Sequence, residues 1–460
     1  MKKLLQQKLL LILAAAVILS ACNDPVFDAI SLEVPPVRPL INGAPTNMVV
    51  FSYDTTIIND SGIEEIVTDS FIYAASGRIL WRYDGTRWER ASPQPSGRII
   101  QLAATNNFLY ALTFEDSRDR VTFTLRRFNR AIWESITDVE GTIRNIHAVN
   151  NALFINTEVS ETNRTAHRIF YIYEDQINPE DTSLTAVILQ YNNVNAEGEI
   201  SGVAWNGTYY FIPASYIYEE RNVETDEITP RRRSGVFVVD SSGAVLRRLA
   251  APVFDSDANR MPVDRFMGII NLENAANTIV VIARNGELFT VTDSVISDPI
   301  RDVSMGNHRA TGALAIWRNP DYYLTFEDGD PHPSPSLLLA GRQSRTATTA
   351  FGFTQGYLEI YLDANGIKIE MNDADPPRNT NNFREPGLRT GVTVSSVHRH
   401  ERYMSTLGRH VVNHIFQAPF QLDPDMTLFA STQLNGLWSY RDRGTTVPEW
   451  QWNAENNRGL

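Results

Sequence analysis

The sequence predicts an all-β fold built by repeating one four-strand unit, and three observations carry that prediction. From about Met48 onward, nearly every segment is a short run of β-branched and aromatic residues bounded by Gly, Asn, Asp or Ser. No segment shows the 3.6-residue apolar period of a four-turn amphipathic helix. The order of strand types also repeats. Near the start stand Phe71–Ala75, then Gly77–Tyr83 with Trp81-x-Tyr83, then Trp88-Glu89-Arg90. Near the end stand Leu428–Thr432, then Gly436–Tyr440 with Trp438-x-Tyr440, then Trp450-Gln451-Trp452. Each copy is an apolar strand ending in small residues, a strand with both rings on one face, and a strand carrying Trp.

The copies between are more degenerate. One runs through Gly97–Leu102, Phe108–Leu112, Thr122–Phe128 and Ala131–Trp133, and the next through Ile143–Val149, Ala152–Ile155, Arg168–Tyr173 and Ser183–Leu189. Two more follow at 200–249 and 266–291, and another at 313–371. Four short strands per unit, counted seven times with six or eight as the alternatives, predict a β-propeller in preference to a pair of sandwiches or a β-helix, with aromatic rings packing blade on blade. Met48–Tyr53 is a strand that completes the first or the last blade, and pairing the two chain ends would close the ring and hide its edges. The later units stretch, predicting projecting loops around 216–233 and 372–420.

The N-terminus is organised differently. Lys2, Lys3 and Lys8 precede the apolar run Leu9–Leu19, and small residues follow, as in a secretory signal. Cys22 is the only cysteine, so it has no partner for an internal disulfide. Leu19-Ser20-Ala21-Cys22 resembles the lipobox of bacterial lipoproteins, a resemblance confined to the first 22 residues. It implies cleavage before Cys22, lipidation there, and a membrane-anchored protein facing the periplasm or the cell surface. Asn23–Asn47 holds Pro25, Pro35, Pro36, Pro39 and Pro45 and reads as a semi-stiff tether. The expected organisation is therefore a signal peptide over 1–21, a lipidated tether over 22–47 and a propeller over 48–460. As a whole the chain is similar to loosely defined propeller-like lipoproteins of spirochaetes and other diderm bacteria. By architecture alone it is also similar to the propeller lipoprotein of outer-membrane β-barrel assembly.

Composition bounds the chemistry. The formal charge is −13 and would reach −16 without residues 1–21, which hold three lysines and no acid. That balance argues against nucleic acid as a partner. Lys368 is the single lysine after residue 21, and no glycine-rich loop precedes it, so lysine-based chemistry has little to work with. A Gly-x-Ser-x-Gly elbow is absent, and the cysteine is committed to lipid. The Tyr83/Trp88 and Phe128/Trp133 spacings look like kelch repeats, but the kelch glycine doublet is missing.

Three clusters remain as candidate sites. His398 and His400 share a strand face about 7 Å apart, with Glu401 as a further ligand or supporting carboxylate, a set that could suit zinc. His410 and His414 would share a helix face, but in a strand would stand about 13 Å apart. Asp255-x-Asp257-x-Asn259 resembles the first half of a calcium loop, although Arg260 and Phe266 stand where Gly and Glu belong. Arg231-Arg232-Arg233, placed in an expected exposed loop, is the one basic cluster and could take a carboxylate or phosphate partner. The expected function is a passive one: an anchored scaffold binding another envelope protein or ligand, with no catalytic motif and no cofactor. The alternatives are a glycan hydrolase or lyase, marked by facing acids at the channel mouth, and a sensor using the 398–414 histidines.

Overall fold

The computed structural model describes most of residues 39–455; outside the described residues lie 1–38, 456–460 and, chiefly, 59–63, 175–185, 222–227, 253–262, 301–307, 319–324, 327–335, 345–355, 368–382, 385–391, 394–406 and 442–450. The described body begins at Pro39 rather than at Met48.

The protein is an all-β propeller. Among the described residues are nine antiparallel sheets: seven of three to five strands that follow one another along the chain, and two-stranded pairs of Gln190–Tyr191 with Val194–Asn195 and of Thr325–Phe326 with Val392–Thr393. Blade 1 is Val49–Ile58, Glu64–Ser76, Ile79–Tyr83 and Trp88–Arg90. Blade 2 is Arg98–Ala104, Leu109–Ser117, Arg120–Phe128 and Trp133–Ile136, and blade 3 is Thr142–Val149, Ala152–Glu161, Arg164–Tyr173 and Val187–Ile188. In blade 4 the inner strand is split into Glu199–Ile200 and Ala204–Trp205, which both pair with Tyr210–Arg221. Ile228–Val239 and Val245–Ala250 complete it. Blade 5 has Phe266–Asn271, Ile279–Ala283 and Leu288–Val291. Blade 6 runs through His308–Arg318, Ser336–Ser344 and Tyr357–Asp363, and blade 7 through Val412–Gln417, Leu428–Thr432, Leu437–Arg441 and Gln451–Ala454.

Seven blades make seven interfaces only if the ring closes, and seven buried clusters are found. Phe51, Tyr73 and Leu109 join blades 1 and 2, and Leu112, Ile146 and Leu153 join blades 2 and 3. Phe154, Tyr171 and Tyr210 join 3 and 4; Phe211, Val281 and Phe289 join 4 and 5; Ile282, Leu338 and Ile360 join 5 and 6. Trp317, Leu339 and Tyr440 join 6 and 7. The last cluster, with Ile72, Tyr83, Trp88, Phe429 and Leu437, joins blade 7 to blade 1. The repeated aromatics therefore do what their spacing predicts. Tyr83 lies opposite Trp88, Phe128 opposite Trp133 and Tyr440 opposite Trp452, with ring centroids 5.4, 5.2 and 5.5 Å apart. Such pairs add to the burial that drives each interface.

Val49–Ile58 is the inner strand of blade 1, which settles its place in the ring. The last blade is sealed by a strap, residues 39–43, that precedes the first blade. Leu40 N donates to Glu455 O, Leu437 N to Ile41 O and Gly436 N to Gly43 O, at 2.6, 3.0 and 2.8 Å. Ile41, within this strap, is fully buried in the cluster between blades 7 and 1.

Two loop expectations are corrected. Residues 228–233 are not loop: Tyr216 pairs with Arg233, Ile217 with Arg232 and Tyr218 with Arg231 in a long hairpin of blade 4. Within 372–420, Val412–Gln417 is the inner strand of blade 7. In both places the polar residues interrupt an apolar pattern while the backbone pairing continues.

Candidate functional site

The inner strands of all seven blades surround a central cavity of about 590 Å³. What holds these strands together also sets what the cavity presents. Asn47, Gln101, Asn145 and His414 occupy one repeated position on blades 1, 2, 3 and 7, and each reaches the backbone of the following blade. The Asn47 amide donates to Leu102 O at 2.7 Å and accepts from Leu102 N at 2.9 Å. Gln101 does the same to Ile146, at 2.6 and 3.0 Å. Asn145 donates to Ile200 O at 3.1 Å. His414 Nδ1 accepts from Met48 N at 3.1 Å, which makes it the closing link of the ring and fixes the proton on Nε2 of the neutral imidazole. These side chains satisfy backbone groups that no sheet ladder reaches.

On the other side of the ring Asn271 donates to Trp205 O at 2.7 Å, Gln417 accepts from Arg318 N at 2.8 Å and donates to Arg318 O at 2.5 Å, and close backbone approach adds to these bridges. A Cβ on Gly202 would sit 2.8 Å from Ile269 Cγ2, and one on Gly268 would sit 2.6 Å from Gly312 O. Between blades 6 and 7, Thr311 Oγ1 donates to Val412 O at 2.6 Å.

Among the described residues, the cavity wall holds no Asp, Glu, Lys or Arg. Its polar groups are amides, hydroxyls and the imidazoles of His147 and His414, and the rest is Pro, Val, Ile, Leu, Ala, Gly, Met and Phe. Both imidazoles present an edge to the cavity but are otherwise packed in protein, and this desolvation pushes each down to about 4. They are neutral at pH 7. The wall is therefore an uncharged surface of fixed hydrogen-bonding groups in an acidic protein.

A second buried polar cluster ties blade 2 to blade 3. Glu174, 2 % exposed, accepts from Thr105 Oγ1 at 2.5 Å and Tyr110 OH at 2.6 Å. Burial raises its carboxyl to about 7, against these hydrogen bonds, which lower it. Both oxygens are engaged inside the interface, which makes this a structural pin.

The candidate residues of the sequence fall mostly elsewhere. Cys22, His398, His400, Glu401, Asp255, Asp257 and Asn259 lie outside the described residues, as do the acidic turns at 327–330 and 373–375. Among the described residues, no group of three or more His, Cys, Asp or Glu side chains could hold a metal. Arg231, Arg232 and Arg233 lie in the blade 4 hairpin and are not among the residues that line the cavity. His410 and His414 do not act together: His410 pairs with Asn435 Nδ2 at 2.8 Å and rests against Trp438, while His414 faces Met48. The sequence reading missed the bridging amides. Their one signal is an amide followed by an apolar residue at the same place in three units: Asn47-Met48, Gln101-Leu102 and Asn145-Ile146.

No family model and no curated protein matches the chain. Solved structures similar to it include extracellular domains 1–2 of Drosophila semaphorin 1b (9 % identity, TM-score 0.41, 88 % of this chain and 87 % of that one). Chaetomium thermophilum Sqt1 bound to the N-terminus of ribosomal protein L10 is similar at 10 % identity and TM-score 0.38, over 90 % and 89 % of the two chains. The extracellular domain of a proposed one-component system of B. thetaiotaomicron gives 13 % and 0.40 over 86 % of this chain, which spans 38 % of that one. With TM-scores below 0.5, none of them bears on what this protein binds.

Proposed function

We propose that the protein is a binding scaffold of the cell envelope, tethered through lipid on Cys22 and presenting a rigid propeller to another envelope protein or ligand. The observation that carries the binding reading is the uncharged cavity wall. A hydrolase or lyase working by general acid–base catalysis needs titratable groups set against one another. Here the described wall offers two neutral imidazoles on blades 3 and 7, with no carboxylate beside either. Interlocked inner strands make the wall rigid, which favours recognition by a surface already in place. The lipobox-like Leu19-Ser20-Ala21-Cys22 supports the anchor. Each buried methylene contributes about 0.8 kcal/mol and a single acyl chain holds only marginally, so two or more chains account for stable attachment.

The test is made in a diderm bacterium expressing the full chain. Metabolic labelling with a palmitate analogue and detergent phase partitioning should place the label and the protein in the membrane fraction. Cys22→Ala should abolish both. Label retained by Cys22→Ala, or a wild-type chain found wholly in the aqueous phase, refutes the anchor. Cross-linking of the anchored protein should then trap a partner through residues of the ring; glycan turnover by the purified chain would instead establish the enzyme reading.

A further inference from the structure

A small pocket of about 40 Å³ opens between blades 1 and 2, away from the central cavity. One wall is the blade 1 hairpin, where Phe51, Tyr53, Phe71 and Tyr73 form a ladder of rings with centroids 5.6 to 6.4 Å apart. The other wall is Trp133, held in place by its Nε1 donating to Pro93 O at 3.0 Å and by stacking on Phe128. Arg82 and Arg130 reach the same space.

Four features mark this pocket as built for a ligand. Tyr73 is 3 % exposed and lines the pocket, yet its hydroxyl has no hydrogen-bond partner among the described residues. The oxygen is reached through the pocket rather than sealed in the core, so the hydroxyl stands as a free donor on the pocket wall. Burial pushes its ionisation far above the usual phenol range, which keeps it a donor.

Arg82 is fixed by Nε and Nη2 on Glu89 Oε1 at 2.7 and 2.6 Å, and lies 4.7 Å over the Phe71 ring. That leaves Nη1 without a partner among the described residues. No carboxylate lines the pocket itself.

The fourth feature is Arg130, whose φ is +76°. The chain repeats this turn and shows what the position prefers. In blade 1, Asp84 Oδ1 accepts from Thr86 N and Arg87 N, and the residue after Asp84 is Gly85, at φ +97°. In blade 2, Asn129 Oδ1 accepts from Ala131 N and Ile132 N in the same pattern, and the residue after Asn129 is Arg130. An arginine stands where the same turn elsewhere has glycine, in a conformation that disfavours side chains. Its exposed guanidinium forms no ion pair among the described residues. Strain kept at one residue beside a pocket is the kind of outlier that points to function.

We infer that this pocket binds a small carboxylate carried on a flat or apolar stem. Its space is that of a few waters, enough for a planar carboxylate head and no more. Arg130, Arg82 Nη1 and the Tyr73 hydroxyl supply donors to the head, and a guanidinium matches carboxylate geometry. The stem lies against Tyr53, Pro93 and Trp133 at the mouth. The inference is independent of the lipid anchor and of whatever the central cavity binds.

The experiment is ligand-observed fluorine NMR on the full chain, with 4-fluorobenzoate as probe. Its resonance should broaden on adding protein, and benzoate should restore it. Benzamide, which keeps the stem but loses the charge, and inorganic phosphate, which keeps charge but is not planar, should not. Loss of one charge-assisted contact weakens binding about tenfold or more, so Arg130→Gly and Tyr73→Phe should each reduce affinity by at least that factor. Arg130→Gly relieves the backbone, so its thermal midpoint should match or exceed that of the wild type while binding is lost. Absence of broadening, unchanged affinity in both variants, or competition by phosphate equal to that of benzoate overturns the inference.

Discussion

The strap over blade 7 can be weighed with two glycines that occupy the same turn in different blades. Gly77 and Gly436 both lie between the second and third strands of their blades, at φ +62° and +75°. An alanine at either position meets the left-handed conformation, at about 1–2 kcal/mol. At Gly77 nothing else follows, since an added Cβ would have no neighbour within 4 Å. At Gly436 the same Cβ would stand 2.4 Å from Ile41 O and 2.4 Å from Pro39 Cγ, so the strap must lift. Lifting it strains or breaks the bonds from Gly436 N to Gly43 O and from Leu437 N to Ile41 O, worth about 1 kcal/mol each. It also exposes Ile41, whose burial contributes about 2 kcal/mol. Entropy returned to the freed residues offsets part of this loss. The expected result is that Gly436→Ala destabilises the protein by about 2 kcal/mol more than Gly77→Ala, read by urea unfolding with unchanged slope. If the two variants agree within about 0.5 kcal/mol, the strap does not secure the ring and the body begins after it.

Three further outcomes follow from the buried polar groups. His147 and His414 have folded-state values near 4 against an unfolded 6.5, so their neutral forms are favoured in the fold. Stability should be full above pH 6.5 and fall as pH drops toward 4, by at most about 3 kcal/mol per histidine, and His147→Gln should remove part of that slope in urea titrations at several pH values. Glu174 has the opposite sign: its folded-state value of about 7 lies above the unfolded 4.5, so its contribution is present below pH 4.5 and is lost as pH rises to 7. Glu174→Gln should flatten that window, seen as a gain in thermal midpoint relative to wild type that is larger at pH 8 than at pH 5. Gln101→Leu strips both hydrogen bonds from Ile146, which is fully buried, and should cost about 1–3 kcal/mol and speed hydrogen exchange at the Ile146 amide.

The second, third and fourth strands of the end blades were legible because their period-2 pattern carries large rings toward a neighbouring blade. Trp81-x-Tyr83 and Trp438-x-Tyr440 sit in the interface clusters for that reason. Inner strands were harder to read. Asn145-Ile146-His147 was legible within the strand 143–149, but Asn413-His414-Ile415 fell in the loop expected around 372–420, because adjacent polar residues there break the apolar alternation. Their polarity is paired through contacts that no local pattern displays: His414 and Met48 are 366 positions apart. Arg231-Arg232-Arg233 misled for the converse reason, because a hairpin can continue pairing through residues whose composition reads as a solvated loop. The carboxylate pocket left one trace in the sequence, an arginine where a repeated turn elsewhere carries glycine, but seeing it required the two turns to be aligned by their strands.

Inner strands are joined in two ways. From blade 7 through blades 1, 2 and 3 to blade 4 an amide or imidazole bridges the strands, and Asn271 and Gln417 bridge blades 4 to 5 and 6 to 7 as well; from blade 4 through 5 to 6 backbones also approach where glycine leaves room, and between 6 and 7 a threonine reaches across. A bridging amide demands a neutral donor–acceptor, and a charged group at that position would leave one backbone partner unmet. A glycine contact admits no side chain at all. Both solutions therefore exclude charge from the wall, whatever the cavity binds, and the neutrality of the wall is in part a requirement of closing the ring. The same reasoning separates the two sites. Arg82 and Arg130 have no such constraint, since they stand outside the inner strands, and an arginine kept in a left-handed turn answers no need of closure. Selection for a ligand is the simpler physical account of the pocket between blades 1 and 2.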